Sequence, residues 1–180
     1  MAEAGDTASF ARIALPHLDS AYNLARWLVR DPAAAEDVVQ DAMVRALSYF
    51  ASFRGENARA WLLQIVRNTA LTRLAQTAQF REQPLEAEPG GRHEHLPDPG
   101  RDPETALAQR ERSFQLEQAL AALPADLREC VVLRELEEMS YRDIARVVGV
   151  PVGTVMSRLF RGRRALLRVG QAVSAKETTP

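Results

Sequence analysis

Cysteine is almost absent from this chain of 180 residues, where Cys130 stands alone. A single cysteine cannot build an internal disulfide framework or a thiolate metal cluster. Its setting, ECVVL, reads as the apolar face of a helix, where a lone cysteine acts as a small hydrophobe. Aromatics are sparse at 6%, and no run of alternating β-branched residues marks a half-buried strand. Nothing approaches the ~20 apolar residues of a membrane span. The opening MAEAGDTASFARIALPHLDS is acidic at its start and has no continuous apolar core, which argues against a secretory signal. Excess charge is missing too: the net charge is −1, unlike a protein that coats nucleic acid in bulk. No Ser/His/Asp constellation and no phosphate-binding glycine loop stands out.

What is present favours helices. Ala, Leu, Arg, Glu and Gln are strong helix formers, and a hydrophobic content of 46% supports a packed core. Helical periodicity runs from Phe10 to about Phe80. The stretch QPLEAEPGGRHEHLPDPGRDP, Gln83 to Pro103, is dense in proline, glycine and charge with little to bury, the composition of a connector. Periodicity resumes near Pro103 and lasts to about Val173, before the polar SAKETTP. The expected fold is all-α: two small helical domains, over residues 8–80 and 105–173, joined by a flexible linker over 81–104. Neither block contains a tandem repeat.

In the first block, Asp31-Pro32 opens a helix, because proline suits the first turn and an acid suits the N-terminus. Ala35, Val38, Val39, Ala42, Met43, Ala46, Leu47 and Phe50 recur at three- and four-residue steps as one buried stripe. The opposite face carries Asp37, Gln40, Asp41, Val44 and Ser48, and on pattern alone it suits solvent as well as a protein partner. Phe53-Arg54-Gly55-Glu56-Asn57 is a turn. The next helix buries Trp61, Leu62, Ile65, Val66 and Thr69 and presents Gln64, Arg67, Asn68, Leu71 and Thr72. Arg and Asn in that arrangement can meet phosphates and base edges, although a plain surface helix explains them equally well.

The second block is sharper. LRECVVLRELEEM is a helix preceded by Pro124. Ser140 to Asp143 has capping-box spacing, the helix YRDIARVVG stops at Gly149, and another helix begins near Val152. Short helix, glycine turn and second helix is the helix-turn-helix layout. From Val150 to Arg168 the last eleven residues hold five arginines. A 3.6-residue projection puts Val152, Val155, Met156, Leu159, Phe160, Leu166 and Leu167 on one side. Gly153, Thr154, Ser157, Arg158, Arg161, Arg164 and Arg168 share the other, which has no acid. Short polar groups at the N-terminal end permit close approach to a major groove, with cations further along for phosphate or guanine.

Three stretches, AEDVVQDAMVRAL, FRGENARAWLLQIVRNTAL and ALAALPADLRECVVLRELEEMSYRDIARVVGVPVGTVMSRLFRGRRAL, together resemble the extracytoplasmic-function group of bacterial sigma-70 family sigma factors. They occur in that family's order and cover nearly the whole chain. The resemblance implies that residues 8–80 are sigma region two and residues 105–173 region four. It implies that Asp37, Gln40, Asp41 and Val44 dock on core RNA polymerase. Arg54, Asn57, Arg59, Trp61, Arg67 and Asn68 would capture and read the minus-ten element, a base being flipped from the stack where a loop can reach its edges. Thr154, Ser157, Arg158, Arg161 and Arg164 would read the duplex minus-35 element. Core polymerase and promoter DNA are the implied partners, with an anti-sigma factor as inhibitor. The implied protein is a cytoplasmic monomer outside these complexes, not inserted in a membrane, with no catalytic activity, cofactor or metal.

Departures from the family pattern are local. Asp41 stands where Glu is frequent. Thr72 stands where Asp is common and receives no role. Met156 replaces the usual Lys beside Ser157 and Arg158, removing one phosphate contact, worth about one unit of salt slope. Rival readings fare worse. A stand-alone helix-turn-helix regulator leaves the first seventy residues unexplained and has no dimerisation heptads. A sigma-mimicking titrant of anti-sigma factors would carry a strand-rich receiver domain. A metalloenzyme would have to use His93, Glu94 and His95 from a connector with no helix to orient them.

Overall fold

In the computed structural model, which describes residues 4–80 and 103–177 and the side chains of 7–79 and 113–169, all regular structure is helical. The expected linker, apart from its last two residues, lies outside the described residues, as do His93 and His95. The first block comprises α1 (Ala4–Ala14), a 3-10 turn (Leu15–His17), α2 (Leu18–Val29), α3 (Pro32–Tyr49), a second 3-10 turn (Phe50–Ser52) and α4 (Ala58–Phe80). The second comprises α5 (Pro103–Ala122), α6 (Ala125–Val131), a π turn (Val132–Leu136), α7 (Tyr141–Val148) and α8 (Val152–Glu177).

Local chemistry accounts for the boundaries. Asp31 caps α3 by accepting from the Ala34 N–H at 2.7 Å, with Pro32 in the first turn, an arrangement worth about 1 kcal/mol. Asn57 caps α4, its Oδ1 accepting from the Ala60 N–H at 3.1 Å. At α7 the Ser140 hydroxyl accepts from the Asp143 N–H at 3.1 Å and donates to the Asp143 carboxylate at 2.7 Å. Gly149 ends α7 at φ 71°, in the left-handed region where glycine has no Cβ penalty. Arg30 takes the same role after α2 at φ 61°, a conformation that strains a residue with a side chain.

α2, α3 and α4 pack together, and α3 presents the expected stripe: Ala35, Val38, Ala42 and Ala46 are fully buried, with Val39, Met43, Leu47 and Phe50 half covered. In the second block Leu133, Ile144, Val147, Val155 and Leu159 close the junction of α6, α7 and α8. Gly162 sits where α8 passes α6; a Cβ there would lie 2.7 Å from Val131 Cγ2. Arg128 is buried beneath the end of α5, donating to the carbonyls of Ala121 at 2.9 Å and Leu123 at 3.3 Å, which satisfies acceptors that a helix C-terminus leaves open. The blocks are not held apart. α2 packs on α6 and α4 on α7, and buried apolar side chains of both blocks join in one core.

Candidate nucleic-acid interface

Three surfaces carry the expected binding residues. On α3, Asp37, Gln40, Asp41 and Val44 are all exposed on one face, Val44 at 64%. Arg73 of α4 reaches both acids, at 2.6 Å from Asp37 and 3.5 Å from Asp41. Such solvent-facing pairs contribute about 0–1 kcal/mol, so both carboxylates remain exchangeable.

The second surface is the turn between α3 and α4. Phe53 and Trp61 lie with ring centroids 4.8 Å apart, and Phe50 stacks on Phe53 at 6.2 Å. Phe10 closes on Phe50 edge-on at 5.5 Å, so the turn rests on an aromatic pile. Beside it opens a cavity of about 300 Å³ lined by Ser52, Phe53, Arg54, Glu56, Asn57, Trp61, Gln64 and Arg146. Half-covered rings beside an arginine and two amides suit an unpaired base, which can stack and hydrogen-bond at once. Of the six minus-ten residues, Arg54, Asn57 and Trp61 line this cavity, and Asn68 lies exposed further along the Trp61 face of α4. Asn57 also has structural work, since its Oδ1 caps α4 and its φ is 40°.

Arg59 and Arg67 point elsewhere. Arg59 forms an ion pair with Glu137 of the second block and donates to the Glu137 carbonyl at 2.7 Å and to Ser20 Oγ. Asn23 donates to the same carboxylate at 2.6 Å. Burial raises the proton affinity of Glu137, but hydrogen bonds with Ser20, Asn23 and Arg59 and the Arg59 charge outweigh it, so its carboxyl lies below the ordinary range. Arg67 grips Glu129 of α6 with a fork, Nε–Oε2 at 2.7 Å and Nη2–Oε1 at 3.0 Å. Glu129 is 4% exposed.

The third surface is α8, and it has three faces rather than two. Val155, Leu159 and Gly162 are buried and Leu166 is half buried, as the projection implied for the apolar ones. Val152, Met156, Phe160 and Leu167 are exposed instead, Phe160 at 66%. The apolar side assigned from periodicity is wider than the seat α6 and α7 offer, and only its inner edge finds cover. Thr154, Ser157, Arg158, Arg161 and Arg164 do share the remaining arc. Arg161 and Arg164 are exposed and make no ion pair with another described residue. Arg158 is not free: it lies 3.3 Å from Glu129 and 3.5 Å from Asp126. Glu129 Oε1 is therefore shared between an arginine of α4 and an arginine of α8.

Comparison with known proteins assigns the chain. Family models match twice, the sigma-70 region 2 model over residues 13–80 and the sigma-70 region 4 model over residues 113–166. The RNA polymerase sigma-H factor of Pseudomonas aeruginosa is 37% identical over 168 residues, covering 90% of this chain and 86% of that relative. The ECF RNA polymerase sigma-E factor of Escherichia coli K12 is 39% identical over 140 residues, 72% of this chain and 70% of the relative. The chain belongs to the extracytoplasmic-function group of sigma-70 family sigma factors. Among solved structures, this sigma factor resembles that of Bartonella quintana RpoE in complex with the anti-sigma factor NepR, at 27% identity and a TM-score of 0.74, covering 91% of this chain and 97% of the other. As a member of its family, the sigma factor binds core RNA polymerase and promoter DNA.

Sequence reasoning did not find the acidic partners in this sigma factor. Glu129 and Glu137 escaped notice because a carboxylate inside an arginine-rich helical run reads as an ordinary intrahelical partner. The one available signal was position: Glu129 interrupts an otherwise apolar buried face, and such a residue needs a cation. Ser20, Asn23 and Arg146 gave no signal, since each acts only across the seam between blocks. No helix among the described residues is long and apolar enough to cross a membrane.

Proposed function

We propose that this sigma factor acts in the cytoplasm without catalytic activity of its own, bringing core polymerase to promoters through two DNA-reading surfaces. Residues 8–80 act as region two, 81–104 as linker and 105–173 as region four. Asp37, Gln40, Asp41 and Val44 dock on core polymerase. Arg54, Asn57, Trp61 and Asn68 receive the minus-ten strand, with Arg59 and Arg67 joining once their carboxylate partners withdraw. Thr154, Ser157, Arg158, Arg161 and Arg164 read the minus-35 duplex. An anti-sigma factor restrains it, a reading supported by the likeness to the RpoE–NepR complex.

The observation that carries this reading is the aromatic cavity at the α3–α4 turn. A half-covered Phe53–Trp61 pair flanked by Arg54 and Asn57 has the chemistry of single-strand capture, and it sits in the same chain as a helix-turn-helix. Purified protein added to core polymerase should initiate transcription from a promoter that it activates on overexpression. Failure to co-purify with core polymerase, even when freed of inhibitor, would overturn the assignment. Arg161→Ala should weaken use of the upstream element while core binding stays intact, because Arg161 touches no described partner. Arg158→Ala is a less clean test, since it also strips a cation from Glu129.

A further inference from the structure

The arginines expected at the two promoter elements are already occupied by this chain's own acids. Arg59 of α4 holds Glu137, and Arg67 holds Glu129 in a two-pronged fork. Arg158 of α8 shares that same Glu129 and approaches Asp126. Arg146 of α7 stands at the rim of the aromatic cavity, 4.0 Å from Glu56. Carboxylate and phosphate offer arginine the same planar, two-oxygen acceptor. One cation cannot serve both.

We infer that Glu129 and Glu137 form an autoinhibitory latch, holding the two DNA-reading blocks together by standing in for promoter phosphates on Arg67, Arg158 and Arg59. The inference rests on the sigma reading of those arginines and adds how that site is regulated.

Three further features fit a latch that opens. The buried pairs bring little net stability, because stripping water from both charges offsets most of their attraction, so exchange for phosphate is nearly balanced. The chain from residue 81 to 102 can span up to about 70 Å, so the blocks can part without strain on the backbone. The α3 face of Asp37, Gln40, Asp41 and Val44 stays exposed in the closed arrangement. Polymerase can therefore meet the closed protein, while DNA finds Arg54, Arg161 and Arg164 but not Arg59, Arg67 and Arg158.

The test uses the full chain with Glu137→Gln or Asn23→Asp. The second variant places a carboxylate against Glu137, 2.6 Å from where Asn23 now donates, and alters neither DNA surface nor the polymerase face. Solution scattering should report a larger radius of gyration for both variants. Binding to a labelled mixed-sequence duplex should tighten, and the salt dependence should steepen by about one unit per released arginine, hence by about one to three. Circular dichroism should show unchanged helix content. An expanded variant with wild-type DNA affinity would overturn the latch, as would a variant that stays closed and binds DNA no better. Loss of helix in both variants would overturn it too, since a latch must be separable from the fold of each block. Transcription with core polymerase is measured alongside. If even the wild type fails there, the sigma reading fails; if it succeeds while DNA binding is not released, only the latch fails.

Discussion

Gly162→Ala tests how α8 is seated. In an open helix this change stabilises by about 1 kcal/mol, because glycine gives up more backbone freedom than alanine. Here the added Cβ would lie 2.7 Å from Val131 Cγ2, with the Leu127 carbonyl oxygen and Cβ 3.7 and 3.8 Å away. Val131 is 2% exposed on α6 and, being β-branched in a helix, has one strongly preferred rotamer. It cannot swing aside, so α8 must lift by roughly 1 Å to restore ordinary contact near 3.8 Å. Overpacking of this kind costs about 1–3 kcal/mol. Set against the helix gain, the net is a loss of about 1 kcal/mol. Gly153, also in α8, has nothing within 4 Å of its Cβ position, so Gly153→Ala should be neutral or stabilise by about 0.5 kcal/mol. Urea unfolding followed by circular dichroism measures both. Pairing Gly162→Ala with Val131→Ala should show a favourable coupling of about 1 kcal/mol in a double-mutant cycle. If Gly162→Ala stabilises as much as Gly153→Ala does, the account of α8 packing is wrong.

Other expectations concern charge and strain. Burial, and then the Arg59 charge, lower the pKa of His17 from its usual 6.5. The folded state therefore prefers neutral His17, so stability is full above about pH 6.5 and declines as pH falls toward the lowered value. His17→Gln should flatten that part of a stability–pH profile. Glu137, held below the ordinary carboxylate range, adds stability above about pH 4.3 that is lost on further acidification; Glu137→Gln should remove that dependence. Arg30→Gly should raise stability by about 0.5–1 kcal/mol in thermal melts by relieving a left-handed φ of 61°. It should also relieve Arg128, whose pKa is depressed first by burial and then by the Arg30 charge. Val44→Asp should cut co-purification with core polymerase while leaving stability within about 0.5 kcal/mol of wild type, because Val44 is exposed on α3.

Some signals are legible in the sequence because their physics is local. Asp31 before Pro32, Ser140 three residues before Asp143, and Gly149 after an apolar run each act within one helical turn. The α3 stripe is legible for the same reason, as its alanines and valines repeat with the helix. Asn57 shows where such legibility stops. It looks like a base reader in a turn, yet the same short side chain and the same turn make a good N-cap. On α8, periodicity separates apolar from polar residues but cannot say how wide a groove will receive them, so Met156 and Phe160 group with the core although they face outward. The pairing of Arg67 with Glu129 joins residues 62 positions apart. Two helical blocks with separately sensible patterns say nothing about the face they turn toward each other.

The π turn at Val132–Leu136 gives this seam an unexpected kind of adjustability. Its wider winding, with the Glu137 N–H reaching back to the Val132 carbonyl at 3.1 Å, accommodates one residue more than an α turn. Losing one residue there would restore ordinary winding and swing the downstream chain by about 100° around the axis. Glu137 would then turn away from Arg59 while α7 and α8 kept their own sequences. A single-codon deletion or insertion could thus loosen or tighten the seam in one genetic step, leaving every DNA-facing side chain untouched.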